Sequence, residues 1–261
     1  MPLRVYEMKT AFAICAHPDD IEFLMSGTMM RLADAGYQLH YMNVANGCCG
    51  STTHSAEETA RIRLKESRQA AEFIGATFHE PLCNDLEVFY QQETLEQLTA
   101  VIRTVAPEII LTHSPTDYME DHTNTCRLAV TAAFCRGMPN YPTRPPVPIT
   151  TQNVTLYHAQ PYSHYDPLGK FIPPDYFVDV SDLQKRKQEM LSLHASQKQW
   201  LDESQGLDSY LKTMTDLDHQ LGQVSNKMDY AEGWRKHLHL GFCDPEDDPL
   251  LEALSGFIFQ A

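Results

Sequence analysis

The chain has 261 residues, 43% of them hydrophobic and 21% charged, a globular composition that suits one large domain and gives no sign of disorder. Its formal charge of −15 disfavours nonspecific contact with DNA, RNA or anionic membranes. No apolar run reaches the ~18 residues that span a bilayer, Met1–Lys9 lacks the apolar core of a signal peptide, and seven cysteines is an odd count, so the expectation is a cytoplasmic protein.

Thr10–Ala16 is an unbroken apolar run of strand length. It leads through His17-Pro18-Asp19-Asp20-Ile21 into a predicted helix, Glu22–Ala35, with Phe23, Leu24 and Met30 on its apolar stripe and Gly36 at the C-cap. Gln38–Val44 predicts a second strand, followed by the loop Asn46 to Ser51. Cys48 and Cys49 in that loop are adjacent, without the spacing of a zinc knuckle, and are expected to carry no chemistry. Ser55 and Glu58 form a capping box ahead of a long helix, Ala56–Gly75. A strand at Ala76–Glu80, a helix at Leu95–Val105 stopped by Pro107, a strand at Glu108–Thr112 and a helix from Asp121 to about Arg136 follow.

This alternation predicts an α/β fold with a doubly wound, mostly parallel sheet. Ligands in such folds sit beyond the carboxyl ends of the strands, where the loops after the first and fourth strands would meet. Beyond them, Gly137–Pro148 holds five prolines and reads as an extended excursion. Asn153–Tyr157 and Tyr176–Val180 predict strands, Asp182–Gln199 and Gly206–Leu221 predict helices, and Ala231–Trp234 reads as part of a last turn. Residues 1–241 are expected to form a single domain. The apolar residues of the tail, 242–261, suggest that it docks on the domain or on a neighbouring subunit.

Four ionisable groups, His17, Asp19, Asp20 and Glu22, cluster where the first strand ends, which is costly unless a cation gathers them. A tight turn can aim the His17 imidazole and the Asp20 carboxylate at one point. A catalytic zinc site takes three protein ligands plus water. His122, at the start of the helix after the fourth strand with Asp121 beside it, is the best third ligand, and His113 is a weaker one. Asp19, adjoining a ligand, is the natural base for the proton of a metal-activated water. One aspartate and two histidines also describe an iron site, so zinc is expected with Fe2+ or another divalent ion as the alternative.

These residues resemble the zinc-dependent N-acetylglucosaminyl deacetylases of the LmbE-like/PIG-L family. The resemblance is carried by Ala16-His17-Pro18-Asp19-Asp20-Ile21-Glu22, by Thr112-His113 and the loop ending in Asp121-His122, by Arg63-Leu64-Lys65-Glu66, and by His194-Ala195-Ser196-Gln197 and Ala231-Glu232. It implies a Rossmann-like three-layer αβα sandwich, assembled as a trimer or hexamer. It implies zinc on His17, Asp20 and His122, with Asp19 as general base; Glu22, Asn46, Arg63, Glu66, His113, Asp121 and His194 are expected in supporting or substrate-facing positions. The implied reaction is removal of an N-acetyl group from a small amino-sugar-like substrate; charge and the lack of a spanning apolar run lead to no expected role for nucleic acid or membrane insertion. One departure stands out: where the family has an imidazole in the second motif this chain has Met119, which can neither donate a strong hydrogen bond nor shuttle a proton. His113, Tyr118, His158 and His164 are the candidate replacements, and a catalytically weak metal-bound binding or structural protein is the alternative reading.

Overall fold

A computed structural model describes residues 9–198 and 210–261. Its centre is a single sheet of eight strands in the order β3-β2-β1-β4-β5-β7-β6-β8. The first five, β1 (Thr10–Cys15), β2 (Gln38–Asn43), β3 (Thr77–His79), β4 (Ile109–Thr112) and β5 (Thr155–Ala159), are parallel. β7 (Ala231–Lys236) joins β5 antiparallel, β6 (Tyr176–Asp179) pairs antiparallel with β7, and β8 (Ile258–Gln260) closes the edge antiparallel to β6. The tail therefore contributes an edge strand of the same sheet, preceded by the short helix α8 (Pro249–Ala253).

The helices cover both faces, and the alternation of side chains along β1 shows how. Ala11, Ala13 and Cys15 join one core cluster, with Met25, Met29 and Leu32 of the first helical segments and Ala70 and Ala71 of α3 (Ala56–Phe73). Phe12 and Ile14 point the other way, onto Leu95, Leu98 and Ile102 of α4 (Gln92–Val105) and Leu128, Ala129 and Ala132 of α5 (Glu120–Cys135). A central parallel strand buried on both faces needs a continuous apolar run, and β1 supplies one. The chain is thus a three-layer sandwich of the Rossmann-like kind.

Several sequence expectations need correction. The helix expected over Glu22–Ala35 is two: α1 (Asp20–Leu24) and α2 (Ser26–Asp34), broken at Met25, whose φ of −149° leaves the helical region. The Ser26 hydroxyl donates to the Glu22 carbonyl at the break, 2.6 Å away. The bend lets α2 approach the chain after β6 so closely that a Cβ on Gly27 would lie 2.4 Å from Val180 Cγ1. The segment Ala231–Trp234 is not a turn but the buried start of β7, inside the sheet. The helix expected over Asp182–Gln199 is interrupted: after a 3-10 turn over Ser181–Leu183 comes α6 (Gln184–Leu191), the chain leaves the helical path at residues 192–194, and residues 195–198 are helical again. Gln199 and residues 206–209 of the next expected helix lie outside the described residues, and α7 is described as Tyr210–Ser225.

Candidate metal centre

β1 and β4 are neighbours at the point where the strand order reverses, so the turn after β1 and the loop after β4 open onto the same rim. The turn is tight. His17 N donates to Asp20 Oδ2 at 2.7 Å, and Asp19 adopts φ 103° in the left-handed region that non-glycine residues rarely occupy. Asn43, at the end of β2, holds the turn from below through a 2.6 Å bond to the His17 carbonyl.

Asp20 is the hub. Its carboxylate lies 3.5 Å from His17 Nδ1 and 3.4 Å from His122 Nε2, and the His17 and His122 ring centroids are 5.5 Å apart. The other nitrogen of each ring is occupied by a second carboxylate: His17 Nε2 lies 2.9 Å from Asp121 Oδ2, and His122 Nδ1 lies 3.0 Å from Asp117 Oδ1. Such carboxylate–imidazole pairs fix the tautomer and turn the remaining lone pair toward a metal. His17, Asp20 and His122 each offer one ligand atom, all within 4.8 Å of one another, a donor set that fits a divalent ion of the zinc type.

The electrostatics agree. Burial works against charge on His17, but hydrogen bonds to Asp121 and Asp20 outweigh it and raise its pKa to about 9. Burial likewise opposes charge on His122, and Asp20 and Asp117 raise it to about 10. Asp20 is held well below the usual carboxylate range: burial raises it, and His122 and His113 more than reverse the effect. Lone pairs that hold protons this firmly also suit a cation.

His113 reaches the same hub from the end of β4, its Nε2 3.2 Å from Asp20 Oδ2. Its Nε2 accepts from the Ala16 N–H at 2.9 Å, and its ring stacks on His122 with centroids 4.1 Å apart. Burial lowers its pKa, against the pull of Asp20.

Asp19 faces a cleft of about 540 Å³ whose lining includes His17, Asp20 and His122. Tyr210 donates to its Oδ2 at 2.5 Å, and Arg63 approaches its Oδ1 at 3.6 Å. Burial raises the Asp19 pKa, against the pull of Arg63. Arg63 also donates to the Pro18 carbonyl at 2.5 Å. Arg63 and Glu66, three apart on α3, thus turn to different partners, because Glu66 accepts from the backbone and hydroxyl of Ser196. Glu22 is fully buried beside Tyr41 and 3.3 Å from His194, and Asn46 donates to Asn84, so Glu22, Asn46, Glu66 and His194 support the site's surroundings and do not line the cleft.

Met119 lines the cleft at the start of α5. Of the candidate replacements, His158 bonds the His113 carbonyl and His164 the Leu217 carbonyl, and only Tyr118 lines the cleft, edge-on to His122 at 5.8 Å. Tyr162 joins it there. Tyr210 and Asp85 are cleft residues that the sequence did not mark, since nothing local distinguishes them.

Comparison with known proteins agrees with the geometry. The pattern of the PIG-L family, GlcNAc-PI de-N-acetylase, matches residues 12–133. A diacetylchitobiose deacetylase of Thermococcus kodakarensis is 30% identical over 73% of this chain and 71% of its own. A 4-oxalmesaconate hydratase of Pseudomonas putida is 26% identical over 73% of this chain and 74% of its own. Among solved structures, the N,N'-diacetylchitobiose deacetylase of Pyrococcus horikoshii superposes with a TM-score of 0.72 at 24% identity, covering 90% of this chain and 85% of that one, which speaks to the fold.

Proposed function

The chain belongs to the PIG-L family, and on that premise we propose that it is a metal-dependent hydrolase that removes an N-acetyl or related acyl group from an amine on a small sugar-like substrate. The observation that carries the reading is the pair of imidazoles, each braced by a carboxylate, turned on Asp20 with Asp19 alongside at the floor of one cleft.

His17 Nδ1, an Asp20 oxygen and His122 Nε2 would hold a zinc ion. Bound there, such an ion polarises an amide carbonyl and lowers the pKa of a water molecule. Asp19 takes the proton of the attacking water and returns it to the departing amine nitrogen. Its pKa, raised by burial, suits a base that must also give the proton back. Tyr210 and Arg63 fix its carboxylate, and its strained backbone keeps it beside Asp20 without making it a ligand. Tyr118 and Tyr162 offer aromatic faces to the ring of a sugar. The reading also takes the chain to be cytoplasmic, from its sequence, and a homo-oligomer, trimer or hexamer, from the resemblance alone; analytical ultracentrifugation tests the assembly.

The deciding experiment is elemental analysis of protein purified without added metal, then acetate release from a panel of N-acetylated amino sugars with zinc or iron restored. Acetate release that disappears in Asp19→Ala, with the metal retained, supports the reading. No release across the panel from loaded protein overturns it. A second reading, hydratase activity, is favoured by Met119, which leaves the cleft without the imidazole expected of a deacetylase, and by the similarity to a hydratase. It predicts consumption of an unsaturated carboxylic acid with no acetate formed.

A further inference from the structure

The loop after β2 carries two thiols that the proposed reaction leaves unused. Cys48 and Cys49 sit at the centre of a turn closed by the Gly50 N–H, which donates to the Gly47 carbonyl at 3.2 Å. Asp85 lies buried beneath it and accepts from Gly47 N at 2.6 Å and from Cys49 N at 2.9 Å. The two Sγ atoms are 3.9 Å apart, and both thiols and the Asp85 carboxylate offer ligand atoms within 4.8 Å of one another. Two thiolates bound at ~2.3 Å to a tetrahedral zinc ion lie ~3.8 Å apart. The spacing of the sulfurs is therefore already that of one edge of a thiolate–metal tetrahedron.

We infer that Cys48, Cys49 and Asp85 form a second site, separate from the His17–Asp20–His122 centre, for a thiophilic divalent cation such as zinc or cadmium. Binding breaks two S–H bonds and forms two sulfur–metal bonds. Two protons leave to solvent, and no oxidation state changes. Asp85 gives the third donor and solvent the fourth.

The position gives the site a consequence. Cys49, Gly50 and Asp85 line the same cleft as Asp19 and Asp20. The loop also leans on Arg63 so closely that a Cβ on Gly47 would lie 2.6 Å from Arg63 Cδ. A cation held there narrows the mouth of the cleft and stiffens the loop that supports the arginine beside Asp19. Excess thiophilic metal thus inhibits, while metal at the histidine centre does not.

The test uses reduced, full-length protein whose histidine centre is loaded with zinc and cleared of excess. Cadmium is titrated in, and the ultraviolet sulfur-to-cadmium charge-transfer band is followed. The histidine centre holds no sulfur and gives no such band. One tight equivalent is expected, weakened at least about 100-fold in Cys48→Ser and in Cys49→Ser and about 10-fold in Asp85→Asn. The other five cysteines remain in the two serine variants, and unchanged circular dichroism shows that they fold. No band at one equivalent in the wild type, or a band of full affinity in both serine variants, overturns the assignment. The site does not depend on the hydrolase reading: if that reading fails the band remains, and if this site fails turnover remains.

Discussion

His17 Nε2 lies 2.9 Å from Asp121 Oδ2, and this contact decides which nitrogen of the ring is turned to Asp20. Asp121 sits at the start of α5 and also accepts from the Leu86 N–H at 2.7 Å, so its carboxylate cannot swing away. Asp117 does the same for His122. Removing such a partner typically costs about 10–100-fold in metal affinity. Asp121→Ala and Asp117→Ala are each expected to lose that much in a chelator competition, with the fold intact by circular dichroism. Wild-type affinity in both would mean that the two carboxylates do not brace the ligands.

Asp19→Asn separates metal binding from turnover. The amide keeps the shape and the contact with Tyr210 but cannot accept a proton. General base catalysis contributes about 10²–10⁴ in rate, and kcat is expected to fall by that factor with metal content unchanged. A fall in metal content matching the fall in rate would make Asp19 a ligand and would leave the base unassigned.

The pH dependence of stability follows from the two raised imidazoles. His17 and His122 hold protons to about 9 and about 10 in the folded protein without metal, against ~6.5 unfolded. Their contribution to stability is complete below pH ~6.5 and is lost as pH rises through 9 and 10. In metal-loaded protein the ion replaces those protons, so that loss disappears. Thermal melts of stripped and loaded protein from pH 7 to 10 should diverge, with the stripped protein falling more steeply. Parallel curves would show that the two rings do not hold their protons above the unfolded value.

The strand β1 and the turn after it were legible because their signal is local: an apolar run, then four charges within six residues. That His122 would join them followed from topology, since neighbouring parallel strands end on one rim. β7 was not legible. Ala231-Glu232-Gly233-Trp234-Arg235-Lys236 has few apolar residues, and its burial depends on distant partners. Glu232 accepts from Gly27 N, Thr28 N and Lys187 Nζ, and Trp234 donates to the Thr28 hydroxyl. Tyr210 on Asp19 and Asp85 beneath Cys48 and Cys49 are likewise long-range pairings, for which no spacing rule exists. The fold class could therefore be read while the helix break at Met25 and the antiparallel pairing of β7 and β8 into the sheet could not.

The same buried contacts predict a large stability effect away from the cleft. Lys187 is fully buried, and its Nζ lies 2.6 Å from both Asp218 Oδ2 and Glu232 Oε1. Lys187→Met fills the space but leaves two buried carboxylates facing each other. Breaking a buried pair from one side costs about 3–5 kcal/mol, and a loss of that size is expected in urea unfolding. A loss under ~1 kcal/mol would mean that the acids take up protons at little cost, which the burial of Asp218, whose pKa is pushed up to about 6, favours only in part.

Met119 tests which reaction the cleft performs. It sits at the mouth of α5 among Tyr118, His122 and Tyr162, where a thioether offers packing and no proton. If the chain hydrolyses an amide, charge develops on the carbonyl oxygen and the leaving nitrogen, and a donor at position 119 would stabilise both. Loss of one such donor in other enzymes costs about 10²–10³ in kcat. An introduced imidazole lacks a tuned surrounding, so Met119→His is expected to raise acetate release about 10-fold, mostly in kcat, with metal affinity unchanged. If the cleft instead adds water to an unsaturated acid, the apolar side chain packs against the substrate, and Met119→His lowers turnover through KM. The direction of the change, read with both substrate classes on the same preparation, tells the two apart.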